Sequence, residues 1–292
     1  MIQKSLLLLL LLVPSLGTAE PLRVFASVVP IQTFVQRIGG EHVDARAMVR
    51  PGFDPHTYDP TPQQISALAG TALYVRSGLP FEKAWMERVR SANPQMQVLD
   101  AREGISLREM EAHGHDENEE HDSHEDEDDH AQDPHVWTSP PLVKHMAGKI
   151  HDTLIQLAPD HAADFTRNHD ALLAELDALD AELNRLLDPL VNRKFMVFHP
   201  AWGYFADHYR LVQVPIEHEG KSPGARTLAA LIEQAKQEKI KVVFVQPQFD
   251  KRQARQVAQA IGGVVVPVDP LAADYADNLR RVGQQFSQAL QH

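Results

Sequence analysis

Between Pro159 and Leu190 the sequence carries one uninterrupted helical pattern. Leu172, Leu173, Leu176, Leu179, Leu183 and Leu186 recur at spacings of three or four and so share one face. A helix of about 28 residues would run about 42 Å, enough to cross a whole domain. A chain with such a rod at its middle is built around it, and the segment is read as a rigid spine (159–190) joining two halves.

On either side, short apolar runs alternate with amphipathic ones. In the first half, strands are expected at Leu22 to Val29, Val43 to Val49, Ala72 to Arg76 and Met96 to Asp100. Helices fall between them, the first closed by Gly39-Gly40 and another opened by Thr61-Pro62. Ser139-Pro140 caps the helix that runs to about Leu157. The second half repeats the alternation, with strands at Lys194 to Phe198, Leu211 to Ile216, Lys241 to Val245 and Val264 to Val268. Strand–helix alternation means parallel sheets with helices on their faces. The expected fold is therefore α/β: two lobes (20–158 and 191–292), each a mostly parallel sheet flanked by helices, joined by one long rigid helix.

Met1 to Ala19 reads as a cleavable signal peptide, with Lys4, a leucine core from Leu6 to Leu12 and the small residues Gly17-Thr18-Ala19. The apolar run falls well short of the roughly 20 residues that a spanning helix needs, so no stable membrane insertion is expected. The mature chain would begin near Glu20, soluble and monomeric in a periplasm. There is no cysteine, which removes disulfides, thiolate metal sites and a lipid anchor through Cys.

The net charge of −12 is carried by residues 111–133, which hold twelve acids and no base, so the rest of the chain sums to zero. No basic patch remains for phosphates, so no nucleic-acid partner is expected. The same stretch contains His113, His115, His121, His124 and His130. It is too polar to bury a core and is expected to be disordered, yet imidazole and carboxylate are the ligands that divalent cations favour. It is read as a set of weak, mobile metal sites, with an ordered site elsewhere.

In sheets of this kind ligands sit beyond the carboxyl ends of the strands. His56, His199 and Asp269 each follow an expected strand at that end, and His135 follows the acidic stretch after another. A proline adjoins each of the four, which stiffens the backbone before any ion arrives. Three imidazoles and a carboxylate complete a tetrahedral zinc set. Asp54 is placed to orient His56. His218, between Glu217 and Glu219, is a spare candidate, and Trp137, Trp202 and Tyr204 are expected to wall the site or the core. His42, His145, His151, His161, His169 and His208 lack such context and are read as structural or solvated.

At PGFDPHTYDPTP (51–62), DPHVWTSP (133–140), VFHPAWGYFADHYRL (197–211), VFVQPQF (243–249) and VPVDPLA (266–272), the chain resembles the periplasmic zinc- and manganese-binding proteins of ABC transporters, the ZnuA-like zinc-uptake family. The resemblance covers essentially the whole mature chain. It implies two lobes with Zn²⁺ bound between them, delivery to an ABC permease, and His56, His135 and His199 as ligands. Asp269 matches a fourth position used by some members; water or another acid, here Glu217 or Glu219, fills it in others. Manganese-type members carry a glutamate where His199 stands, so His199 points to zinc. The spine implies a small lobe tilt or loop movement for release. Three alternatives stay open: a manganese protein of the same family, a secreted zinc hydrolase using Asp269 as base, and an adhesin or metal buffer with no transporter.

Overall fold

The computed structural model describes residues 20–110, 132–217, 223–249 and 251–291. The expected signal peptide, the five histidines of the acidic stretch, His218 and Glu219 lie outside these residues. The first half contributes β1 (Leu22–Ala26), α1 (Val29–Gly39), β2 (Val43–Ala47), α2 (Pro62–Ala67), β3 (Leu73–Arg76), α3 (Pro80–Ala92), β4 (Gln97–Asp100) and α4 (Pro140–Leu157). After α5 (Ala162–Leu187) come β5 (Lys194–Val197), α6 (Gly203–His208), β6 (Val212–Pro215), α7 (Ala225–Gln237), β7 (Val242–Val245), α8 (Lys251–Ala260), β8 (Val264–Pro267) and α9 (Tyr275–Leu290).

Both sheets are parallel and share one topology, β2-β1-β3-β4 and β6-β5-β7-β8. Five of the eight strands, β1, β2, β5, β6 and β8, end one to three residues sooner than their expected runs, while β3, β4 and β7 end where expected. Val29, for example, already opens α1, because Pro30 in the first turn can start a helix but cannot extend a ladder. The residues left over at the carboxyl ends become the loops that carry the candidate site.

The spine, α5, has 26 residues and is about 39 Å long. It is preceded by a separate 3₁₀ turn at Pro159–His161. Its buried face is Phe165, Leu172, Leu176, Leu179, Leu183 and Leu187, whereas Leu173 and Leu186, expected on it, are only partly buried. The heptad-like spacing 172–176–179–183 holds, and Leu187 rather than Leu186 continues it. α5 lies against α1, α4 and α9, so one apolar cluster runs from the first sheet to the inner face of the second, where Phe195, Phe244 and Phe286 meet. A second cluster, with Ile216, Leu231 and Val257, fills the outer face beneath α7 and α8. The two sheets are thus seated on a common core.

Local signals are met unevenly. Thr61 closes a full capping box with Gln64. Ser139 occupies the N-cap of α4 but its side chain caps nothing; Pro140 and Pro141 start this helix instead. Two prolines in the first turn remove two of the donors a cap would serve.

Candidate metal centre

The carboxyl ends of the two sheets face each other, and three imidazoles meet between them. His56 comes from the long loop after β2, His135 from the segment after β4 and His199 from the turn after β5. His135 Nε2 lies 3.4 Å from His56 Nε2 and 3.3 Å from His199 Nε2. One nitrogen from each of the three lies within 4.8 Å of the others. Around a tetrahedral zinc with Zn–N of about 2.0–2.1 Å, neighbouring nitrogens stand about 3.3–3.4 Å apart. The ring spacing is that of a coordination shell.

The register of the second sheet explains how His199 is held. Val197 pairs with Pro215 on one side and Phe244 on the other, so two residues further on His199 stands between Glu217 and Gln246. His199 Nδ1 donates to Glu217 Oε1 at 2.5 Å. Gln246 brackets the backbone, its Nε2 donating to His199 O at 2.6 Å and its Oε1 accepting from His199 N at 3.4 Å. Phe249 stacks on the imidazole with centroids 4.9 Å apart.

His135 has a matching arrangement. Its Nδ1 donates to Asp133 Oδ1 at 2.7 Å, and its backbone N–H donates to the same oxygen at 2.9 Å. Asp133 is fully buried. Arg108 pairs with its other oxygen at 3.2 Å, and the Tyr204 hydroxyl donates to its carbonyl at 2.9 Å. Burial alone would raise the Asp133 carboxyl, but His135 and Arg108 outweigh it and hold it below the usual carboxylate range. Trp137 meets His135 edge-on, and its indole N–H donates to Pro270 O at 2.8 Å, tying the two halves together beside the site.

These carboxylates fix the chemistry of the ring nitrogens. With Nδ1–H committed to Asp133 and Glu217, the Nε2 atoms of His135 and His199 carry lone pairs, and those lone pairs point at each other. Burial, then the other imidazoles, hold His56 and His199 neutral well below the ordinary 6.5. Two buried imidazoles with free Nε2 lone pairs and a half-buried third, converging on one point, make a site for a borderline divalent cation. The residues present fit zinc.

Asp269 stands apart from this group. Its Oδ1 accepts from Leu271 N at 2.9 Å and from Gln248 Nε2 at 3.0 Å. β8 is two places from β5 in the sheet, about 9.6 Å at the usual strand spacing. Strand order was the missing information. Asp54 holds its neighbour otherwise than expected, accepting from the His56 backbone N–H at 2.9 Å and the Thr57 hydroxyl at 3.2 Å. Asp54-Pro55-His56, Asp133-Pro134-His135 and Asp269-Pro270-Leu271 are the same turn three times, the aspartate capping the N–H two residues on. In the third the final residue is leucine, so Asp269 does the structural work that Asp54 and Asp133 do. Trp202 packs in the core against Phe205 and Phe286, away from the ligand atoms.

The family model for the periplasmic zinc-uptake complex component A, ZnuA, matches residues 24–289. The chain belongs to the ZnuA family. It is 30% identical to the high-affinity zinc uptake system protein ZnuA of Bacillus subtilis over 83% of this chain and 76% of that one. With the Paracoccus denitrificans ZnuA it shares 29% identity over 96% and 97% of the two chains. A crystal structure of a ZnuA deletion mutant with zinc bound superposes with TM-score 0.84 at 40% identity, covering 93% of this chain and 99% of that one. The periplasmic zinc-binding protein TroA of Treponema pallidum shares the fold at TM-score 0.81 and 21% identity, covering 94% and 100%. ZnuA-family proteins are substrate-binding components of transport systems. In this chain the parts that residue-by-residue reading passed over are Asp133 and Gln246. Asp133 was legible in the repeated Asp-Pro-His; Gln246 emerges only from the strand register.

Proposed function

We propose that this chain captures Zn²⁺ outside the cytoplasmic membrane and delivers it to the permease of an ABC transporter. His56, His135 and His199 bind the ion through Nε2, and Asp133 and Glu217 keep the second and third rings in the required tautomer. The observation that carries this reading is the spacing of the three Nε2 atoms, together with the two carboxylates behind them. The fourth position is open to water or to a shift of a nearby carboxylate; Asp269 would have to leave its turn to fill it. The all-nitrogen set favours zinc over manganese, which prefers oxygen ligands. The hydrolase reading loses support here, because Asp133 and Glu217 are tied to the imidazoles, Asp54 to the His56 backbone and Thr57, and Asp269 is engaged in a turn.

Among the described residues no helix is long and apolar enough to cross a membrane. The expected export signal would place the monomeric mature chain in the periplasm, and the five histidines of the acidic stretch would hold further ions weakly. Release requires the rings to separate. The shared core makes a wide hinge opening costly, and movement of the His56 loop or a small tilt is the cheaper route. Titration calorimetry of zinc into wild type and His135→Ala tests the ligand set. A fall in affinity of two or more decades is expected, and an unchanged constant would remove His135 from the site.

A further inference from the structure

A second set of ligating side chains meets at the other end of the first sheet. His42 immediately precedes β2 and His56 lies in the loop that follows it, so the two sites are separated by at least that five-residue strand, about 16 Å long. His161 and Asp164 open α5. One ligand atom from each of His42, His161 and Asp164 lies within 4.8 Å of the others.

The detail is specific. His42 Nε2 is 3.0 Å from Asp164 Oδ2, while Arg167 holds the other oxygen of that carboxylate at 2.6 Å. The hydrogen bond from His42, then that from Arg167, keeps Asp164 below its ordinary range, hence ionised. The His42 and His161 rings stack with centroids 3.8 Å apart and planes 9° from parallel. Phe165 presents an edge to both. The ring nitrogens of His161 have no hydrogen-bond partner among the described residues. Two imidazoles and a carboxylate, each half-buried, are thus assembled with one imidazole's lone pair uncommitted. The 3.0 Å between His42 and Asp164 is close to the donor separation around a tetrahedral ion. Stacked rings aim their lone pairs in parallel, so one ring must turn out of the stack to share an ion; side chains open to water on one side have room to do so.

We propose that His42, His161 and Asp164 form a second divalent-cation site of the zinc class, completed by water. The bound ion would clamp the turn between α1 and β2 to the first turn of α5, fixing the first sheet to the spine. It is weaker than the site between the sheets, because it is solvent-open and a ring must reorient. None of its residues belongs to the transport site, and each site stands or falls alone.

The test counts zinc. Full-length wild type, His161→Ala and Asp164→Asn are dialysed against excess Zn²⁺, and bound metal is measured. Each variant should hold one equivalent fewer than wild type, while the tight constant from calorimetry stays within about twofold. His135→Ala should lose the tight equivalent and keep this one. Equal zinc content in wild type and both variants would overturn the proposal. Should either variant fail to fold, zinc-edge anomalous diffraction from unmodified protein in excess zinc decides. A peak among His42, His161 and Asp164 supports the site, and a peak among His56, His135 and His199 with none here overturns it.

Discussion

The Asp133 and Glu217 carboxylates decide which nitrogen each ligand imidazole offers, and so their removal should be felt in zinc affinity. Asp133→Asn and Glu217→Gln keep the shape and lose the charge; each is expected to weaken zinc binding about 10–100-fold in calorimetric titration. An unchanged constant in both would mean that the rings need no such support. The protonation state gives a second prediction. Because burial and the neighbouring imidazoles hold His56 and His199 neutral well below 6.5, these two have no proton to give up near neutrality. A proton competing with zinc costs about tenfold in affinity per pH unit, and only below the group's own pKa. Affinity should therefore change by less than about tenfold between pH 7.5 and 6.5 and fall more steeply at lower pH, as protons begin to compete for the buried rings. A hundredfold loss already in that upper window would contradict the lowered values. At this scale the sequence was legible where a backbone signal marked the residue. Proline beside His56, His135 and His199 picked out the three that converge. It picked out Asp269 too, for which proline marks a turn and no more.

Among the elements, α5 carries the greatest burden. Leu179 and Leu183 are fully buried on the face that meets the neighbouring helices, and Leu183 touches Gly283 of α9 so closely that a Cβ there would fall 2.5 Å from Leu183 Cδ2. Leu183→Ala should destabilise the protein by about 2–5 kcal/mol in denaturant unfolding, the range for a cavity in a packed core. A loss below about 0.5 kcal/mol would mean that the spine is not the shared support of the two halves. The leucine period revealed this helix at once, since a period of 3.6 depends only on local spacing. The strand runs were visible for the same reason. Their ends were not, because an apolar residue such as Val29 or Phe198 serves equally as the last rung of a ladder or the first residue of the helix or loop beyond. Strand order was hidden as well. That His199 falls between Glu217 and Gln246, and that β8 lies two places from β5, are consequences of β6-β5-β7-β8, which no local pattern encodes.

For the whole molecule, the arrangement predicts that tight binding at the ordered site and weak binding along the acidic stretch are separable. Deleting residues 112–131 should leave the tight zinc site intact and abolish the weak sites of the acidic stretch, read as stoichiometry and affinity in one titration. Loss of the tight site would place those histidines within it. The flanking residues explain why the deletion should be tolerated: Glu109 and Gln132 pair across its base, and Asp133 N donates to Arg108 O at 2.9 Å, closing the stem before the site begins. The five separated segments that resemble one family point to a two-lobed zinc protein, and the family match over residues 24–289 agrees. What the segments could not convey is that both sheets rest on one core along α5, which ties the halves more firmly than a linker would. The arrangement implies one ion held by three side chains from both halves. Anomalous diffraction at the zinc edge, on the mature protein with one equivalent of zinc, measures this directly. A single strong peak about 2.0–2.1 Å from the Nε2 atoms of His56, His135 and His199 is the predicted result; density with no peak between those rings, or zinc bound elsewhere, would contradict it.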